Sequence, residues 1–272
     1  MTPTEPSVLL LIPAYNEEKR IEPVLRDYAQ YFRAHYKGRF TMVVVLNGCR
    51  DDTLGVVQRC AGEFPEIQSL EFQAAIGKGG ALIEGLKLAP QADLIGYVDA
   101  DGATAPPAFH DLIRHCRDVD CVIGSRWLPG SVLHQSQSAK RRIFSRIFHL
   151  IVELLFRMRI KDTQCGAKVM RREAIEKIHS ALRIADVAFD INLLYSLKRN
   201  GFTVKEVPTV WTDQIGSKIQ LNKGALGILL SVFRLRLIYS PFYGILRPLR
   251  PVEAWIYKKL RAPQPLPGPD SK

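Results

Sequence analysis

Asp99 and Asp101 stand two residues apart in Val98-Asp99-Ala100-Asp101-Gly102-Ala103-Thr104, directly after the apolar run Leu94-Ile95-Gly96-Tyr97-Val98. Paired carboxylates at the end of a strand are hard oxygen ligands, of the kind that hold Mg²⁺ or Mn²⁺ together with the phosphates of a substrate. The chemistry suggested is that of a nucleotide-diphosphate donor. The same spacing also caps helices and closes turns, so the pair has to be weighed with its surroundings. Gly77-Lys78-Gly79-Gly80 offers a cation and a permissive backbone ahead of a helix, a setting that favours a phosphate. It lacks the spacing of a P-loop or a dinucleotide fingerprint.

The elements that must position these residues follow from hydrophobic patterning. Residues Ser7–Ile12, Phe40–Leu46, Ser69–Phe72 and Leu94–Val98 read as strands, and Glu17–Tyr36, Asp52–Glu63, Gly79–Ala89 and Pro107–Arg117 as helices. Alternation of this kind specifies an α/β fold with a mostly parallel sheet and flanking helices. Ligands of such sheets sit beyond the carboxyl ends of the strands. Pro13-Ala14-Tyr15-Asn16-Glu17, Asn47-Gly48 and Asp99-Ala100-Asp101 all fall there, which predicts one shared crevice.

The second half changes character. Ile143, Ile147, Ile151, Leu154 and Met158 recur at helical spacing between residues 140 and 161, with Phe144, Phe148 and Leu155 widening the stripe and five arginines interspersed. Two readings stand: a helix lying on an anionic bilayer, or a core-facing helix with a solvated basic face. Residues 224–246 are apolar but contain Arg234, Arg236 and Pro241, which favours an interfacial segment over a bilayer crossing. The expected organisation is a catalytic domain over 1–222, a membrane-interface helical segment over 223–260 and a disordered Pro-rich tail over 261–272.

Composition narrows the function classes. A chain of 272 residues, 47% hydrophobic, can bury a substantial core, and its formal net charge of +11 calls for an anionic partner. Charge alone also fits a nucleic-acid binder, but that reading leaves the carboxylate pair unexplained, so no nucleic acid is expected. Five cysteines without a Cys-x-x-Cys pair indicate neither a disulfide framework nor a zinc site, and the six histidines show no ligand spacing. No Gly-x-Ser-x-Gly elbow supports a hydrolase. The segment before Pro13 lacks a basic region, so no signal peptide is expected.

Taken together, Pro13-Ala14-Tyr15-Asn16-Glu17-Glu18, the Gly-Lys-Gly-Gly at 77–80, Asp99-Ala100-Asp101 and Gly124-Ser125-Arg126 resemble the inverting, metal-dependent glycosyltransferases of the GT-A type, family 2. More closely, Val98–Thr104, Asp162-Thr163-Gln164-Cys165-Gly166-Ala167-Lys168, Phe189–Tyr195, and Glu206-Val207-Pro208 through Gly216-Ser217-Lys218 resemble the dolichyl-phosphate β-glucosyltransferases. The resemblance runs in order from about residue 8 to about residue 240.

That resemblance implies transfer of a hexose, glucose from UDP-glucose, to a dolichyl or polyprenyl phosphate by a peripheral protein on the cytoplasmic face of a membrane. Pro13, Ala14, Tyr15, Asn16 and Glu17, with Asn47, fall where the family holds base and ribose. Lys78, Gly79 and Ala100 fall near the donor diphosphate, Asp99 and Asp101 at the metal. Arg126, Arg141 and Arg142 resemble the acceptor-phosphate residues, for which a guanidinium fork is suited. Asp162 corresponds to a catalytic or acceptor-orienting carboxylate, and Lys218 to a cation closing over the diphosphate. Two departures bear on the donor: many relatives are acidic at the position of Asn47, and mannosyl transferases often carry a Gln where this chain has Ala103. A GDP-mannose-dependent enzyme and a transferase to a soluble phosphorylated acceptor remain alternatives.

Overall fold

The computed structural model describes residues 5–134, 139–186, 188–212 and 221–240. In chain order the elements are β1 (Val8–Ala14), α1 (Ile21–His35), β2 (Phe40–Asn47), α2 (Thr53–Glu63), β3 (Ile67–Phe72), α3 (Gly77–Gly85), β4 (Leu94–Tyr97), α4 (Pro106–His115), β5 (Cys121–Ser125), β6 (Val132–His134), α5 (Ala139–Phe156), β7 (Lys168–Arg171), α6 (Arg172–Ile178), α7 (Phe189–Arg199), β8 (Val204–Pro208), β9 (Val210–Thr212) and α8 (Leu221–Ile238). The chain divides into two compact units at Ser217/Lys218, and α8 belongs to the second.

The main sheet has seven strands in the order β3-β2-β1-β4-β7-β5-β8. β1 pairs in parallel with β2 on one side, Leu11 opposite Val43, and with β4 on the other, Leu11 opposite Tyr97. Only β7 runs antiparallel to its neighbours β4 and β5. Val8–Ile12 and Met42–Leu46 are buried throughout, the continuous apolar run expected of strands covered by helices on both faces. The β1–α1 and β2–α2 crossovers leave the ends of β1, β2 and β4 side by side on one rim of the sheet.

Element boundaries shift where side chains or backbone intervene. The helix expected from Glu17 begins at Ile21, because Asn16 takes a left-handed φ of 54° and the amides of Arg20 and Ile21 both donate to Glu17 O at 2.9 Å, closing a turn first. The helix expected over Gly79–Ala89 starts at Gly77 and gives way after Gly85 to a 3₁₀ turn, Leu86–Gln91, which carries Pro90.

The helix expected over 140–161 stops at Phe156, where Arg157 adopts a φ of 51°. Its apolar residues split between two faces. Phe148, Val152 and Phe156 are buried, Phe156 packing edge-on to Tyr195 of α7 at 4.9 Å, whereas Ile147, Leu150 and Leu154 are exposed. Met158 and Ile160, beyond the helix, are buried as well. One face of the helix is thus covered, with Phe156 on Tyr195 of α7 and His149 against Trp127, and a second apolar face stays exposed.

Beneath the rim lies a charged cluster. Lys168 on β7 is fully buried and its Nζ donates to Asp190 Oδ1 at 2.5 Å and to Cys165 O at 2.6 Å, while Tyr97 donates its hydroxyl to the same Asp190 oxygen. Burial alone would raise the Asp190 pKa, but Lys168 and Lys78 outweigh it and hold the carboxyl below its ordinary value. A buried ion is costly unless paired. Asp190→Asn is therefore expected to lower the unfolding free energy by about 3–5 kcal/mol. The pair's contribution is complete above about pH 4 and lost as pH falls through the depressed folded value. Urea titrations of both proteins across that range check this; equal stability at neutral pH would contradict it.

Candidate active site

The rim is built by three strand ends laced together. Residues 15–18 after β1 and 48–53 after β2 exchange hydrogen bonds: Glu17 N donates to Thr53 Oγ1 at 2.9 Å, Arg50 N to Asn16 Oδ1 at 2.8 Å, and Asp52 N to Glu18 Oε2 at 2.9 Å. Tyr15 lies 47% exposed above this lacing, a ring face available for stacking, while Ala14 is buried and Pro13 half-buried. The Glu17 carboxylate is forked by Arg20 at 2.8 Å on both oxygens. Asn47 is buried, and its Oδ1 accepts the Ile76 amide at 2.7 Å, tying the end of β2 to the start of α3. Thr53 and Asp51, which carry much of the lacing, had no sequence signal beyond their polarity.

The glycines at 77–80 have a packing reason. A Cβ on Gly79 would stand 2.7 Å from both the Ala185 carbonyl carbon and Phe189 Cβ, so α3 can approach the start of α7 only without one. Lys78 thereby falls in the first turn of α3 and reaches Asp99, with which it forms an ion pair. Burial opposes the Lys78 charge, yet Asp99, Asp190 and Asp101 together hold its pKa above the ordinary lysine value.

Asp99 and Asp101 sit on a tight turn after β4. Asp101 Oδ1 accepts the Ala103 amide at 3.0 Å and Gly102 takes a φ of 74°. The turn is pinned from both sides, by Tyr28 Oη donating to Thr104 O at 2.9 Å and by Thr212 N donating to Ala103 O at 3.0 Å. Burial, and the neighbouring Asp99 charge, raise the Asp101 pKa despite the Ala103 amide. A cation between the two carboxylates would relieve that strain, and Lys78 supplies the charge now. No cluster of three or more His, Cys, Asp or Glu suited to a metal occurs among the described residues. The turn offers two carboxylates and would leave other positions to phosphate oxygens and water, an arrangement that suits Mg²⁺ or Mn²⁺.

On the far side of β4, Asp162 is buried and forks Arg126: Nε and Nη2 donate to its two oxygens at 2.8 Å each, and the Arg126 amide donates to Oδ2 at 2.9 Å. The guanidinium also lies 5.0 Å from the Trp211 ring centre. The loop from Asp162 to Gly166 joins both halves. Its far end, Gly166, abuts the Asp99 carboxylate, since a Cβ there would stand 2.3 Å from Asp99 Oδ2. The Arg141 and Arg142 side chains and all of Lys218 lie outside the described residues.

The sequence profile of glycosyl transferase family 2 matches residues 9–179. The chain belongs to glycosyl transferase family 2. Over 81% of its length it is 32% identical to a protein named dolichyl-phosphate beta-glucosyltransferase from Trichomonas vaginalis, of which it spans 68%. It is 31% identical over 85% of its length to one of the same name from Dictyostelium discoideum, of which it spans 74%. Against the glycosyltransferase AglD of Haloferax volcanii it is 31% identical but spans only 35% of that longer protein. Among solved structures, glucosyl-3-phosphoglycerate synthase of Mycobacterium tuberculosis, in complex with Mn²⁺, UDP and phosphoglyceric acid, superposes with a TM-score of 0.63 at 15% identity, covering 85% of this chain and 78% of that one. The expected GT-A fold, a mostly parallel sheet flanked by helices, is thus the observed one.

Gly166→Ala tests the bridge. The added methyl must displace Asp99, and a shift of about 1 Å in a catalytic group costs on the order of 100-fold in rate. The variant is expected to keep its far-ultraviolet circular dichroism and lose at least about tenfold in transferase turnover; undiminished turnover would contradict the packing of Asp99 on this loop.

Proposed function

We propose that this family 2 glycosyltransferase moves glucose from UDP-glucose to the phosphate of a dolichol or polyprenol, with inversion at the sugar. Relatives named dolichyl-phosphate beta-glucosyltransferase at about 30% identity over most of the chain support the acceptor and the sugar. The single observation that carries the reading is the loop Asp162–Gly166, with the Arg126 fork at one end and the Asp99 carboxylate at the other. That arrangement suits a phosphate nucleophile on one side and a diphosphate leaving group on the other.

A lipid phosphate is already anionic, so the site has no hydroxyl to deprotonate. Its tasks are alignment and stabilisation of the charge that develops on the leaving diphosphate. An acceptor phosphate oxygen forms the new bond to C1 as the bond from C1 to the diphosphate oxygen breaks, and the electron pair leaves with UDP. Mg²⁺ or Mn²⁺ held by Asp99 and Asp101 would neutralise the diphosphate when bound. Lys78 exchanges Asp99 for a phosphate oxygen. Arg126, and by resemblance Arg141 and Arg142, hold the acceptor. Asp162 acts by orienting Arg126, since both its oxygens are committed to that fork. Tyr15, Asn16 and Glu17 border the base and ribose.

The lipid acceptor also gives the outer face of α5 a use. Ile147, Leu150 and Leu154 are exposed beside Arg146, Arg157 and Arg159, an apolar stripe with basic flanks that suits an anionic membrane surface. No helix among the described residues is long and apolar enough to cross a membrane. From the resemblance and the exposed stripe of α5 we propose a peripheral seat on the cytoplasmic face.

The test is transfer of radiolabelled sugar from UDP-glucose, and in parallel GDP-mannose, into organic-extractable lipid on acidic liposomes, with Mg²⁺ or with chelator. Metal-dependent label from UDP-glucose is expected, with Asp101→Asn reducing it by on the order of 100-fold or more. Label from GDP-mannose alone would contradict the donor, and label from neither would contradict the lipid acceptor.

A further inference from the structure

Glu206 was singled out by the resemblance as the first residue of Glu206-Val207-Pro208, and no role attaches to it. It lies half-buried on β8, the strand beside β5, in register with Ile123 and three residues before the level of Arg126. Its carboxylate accepts two consecutive backbone amides, Lys161 N on Oε2 at 2.8 Å and Asp162 N on Oε1 at 2.9 Å. Successive amides turned toward one anion make a concave donor site, and here that site is filled from within the protein.

We infer that Glu206 is the positioning residue of the acceptor half of the site, an inference that rests on the acceptor reading of Arg126 and Asp162. The chain of contacts is direct. Glu206 fixes the backbone entering residue 162, that backbone aims the Asp162 carboxylate, and the carboxylate holds both the side chain and the amide of Arg126. The segment before it has no regular structure of its own between Phe156 and Lys168, so the two amides have no ladder to pair with and depend on Glu206. Glu206 meets the Asp162–Gly166 loop at its Asp162 end, four residues before Gly166, and among the described residues no hydrogen bond or ion pair ties it to the carboxylate turn or to Lys78, so its effect falls first on the acceptor half.

The geometry makes a graded expectation. Gln at 206 keeps one acceptor oxygen and presents an amide nitrogen to the second backbone N–H, whereas Ala removes both acceptors and leaves two amides unpaired. With lipid phosphate and UDP-glucose varied in turn, Glu206→Gln is expected to raise the acceptor KM about tenfold while the donor KM stays within roughly twofold. Glu206→Ala should go further on the acceptor alone. Asp162→Asn, measured beside them, separates the two ideas. If it raises the acceptor KM and Glu206→Gln leaves both KM values unchanged, or raises them equally, the positioning role is overturned. If Asp162→Asn itself leaves the acceptor KM unmoved, the acceptor reading fails instead. Because Glu206→Ala risks misfolding, amide hydrogen exchange at Lys161 and Asp162 in the folded Glu206→Gln protein gives a second readout: faster exchange confined to this segment is expected, and unchanged protection would overturn the proposal.

Discussion

The rest of the site depends on the ion pair between Lys78 and Asp99. It joins the two like charges of the turn, Asp101 and Asp99, through Lys78 to the Asp190–Lys168 pair in the interior. The inner two, Lys168 and Asp190, are buried, where a charge is tolerable only with a partner, while Lys78, Asp99 and Asp101 lie at the solvent-facing end. The consequence is a rim on which Lys78 offsets the turn's carboxylates, and in the proposed reading it would change carboxylate for phosphate when a diphosphate and its metal arrive. The glycines of α3 and of the Asp162–Gly166 loop serve this arrangement by removing Cβ atoms where backbone must meet Phe189, Ala185 or Asp99.

The seven-stranded order explains why two substrates can meet. In the proposed reading β1, β2 and β4 would present the donor half, and β5 and β8 the acceptor half, with antiparallel β7 inserted between β4 and β5. The loop that enters β7 must therefore cross the boundary, and it carries Asp162 at one end and Gly166 at the other. Coupling of the two halves is thus a property of topology, in which a single backbone segment meets both the arginine fork and the Asp99 carboxylate.

Much of the first half was legible in the sequence because its strands are continuous apolar runs and its helices have clear 3.6-residue stripes. β1, β2 and β4 appear where the pattern puts them, and the Asp99–Asp101 turn sits at the predicted strand end. The second half was less legible. β5, β7 and β8 are short, and β7 contains Lys168, whose burial depends on an aspartate 22 residues later. Asp190 carried no sign in the sequence that it would turn inward. The two-faced α5 defeated a one-stripe reading, since Phe148 and Ile147 are neighbours in sequence yet point to core and solvent. Asn47 and Gly79 drew attention as donor positions only through the resemblance, and the structure shows a tie to Ile76 for one and close packing on Phe189 for the other. The Glu206 capture of two amides was invisible for a similar reason: its partners lie 44 and 45 residues away.

The central claim is that the Asp99–Asp101 turn and Lys78 together receive a metal-bound diphosphate. A crystal structure of the chain with Mg²⁺ and UDP tests it most directly. The account predicts Mg²⁺ at about 2.0–2.1 Å from a carboxylate oxygen of the turn and from a diphosphate oxygen, with the Lys78 ammonium moved from Asp99 onto phosphate. UDP bound elsewhere, or a turn still paired to Lys78 with no cation on either carboxylate, would contradict it.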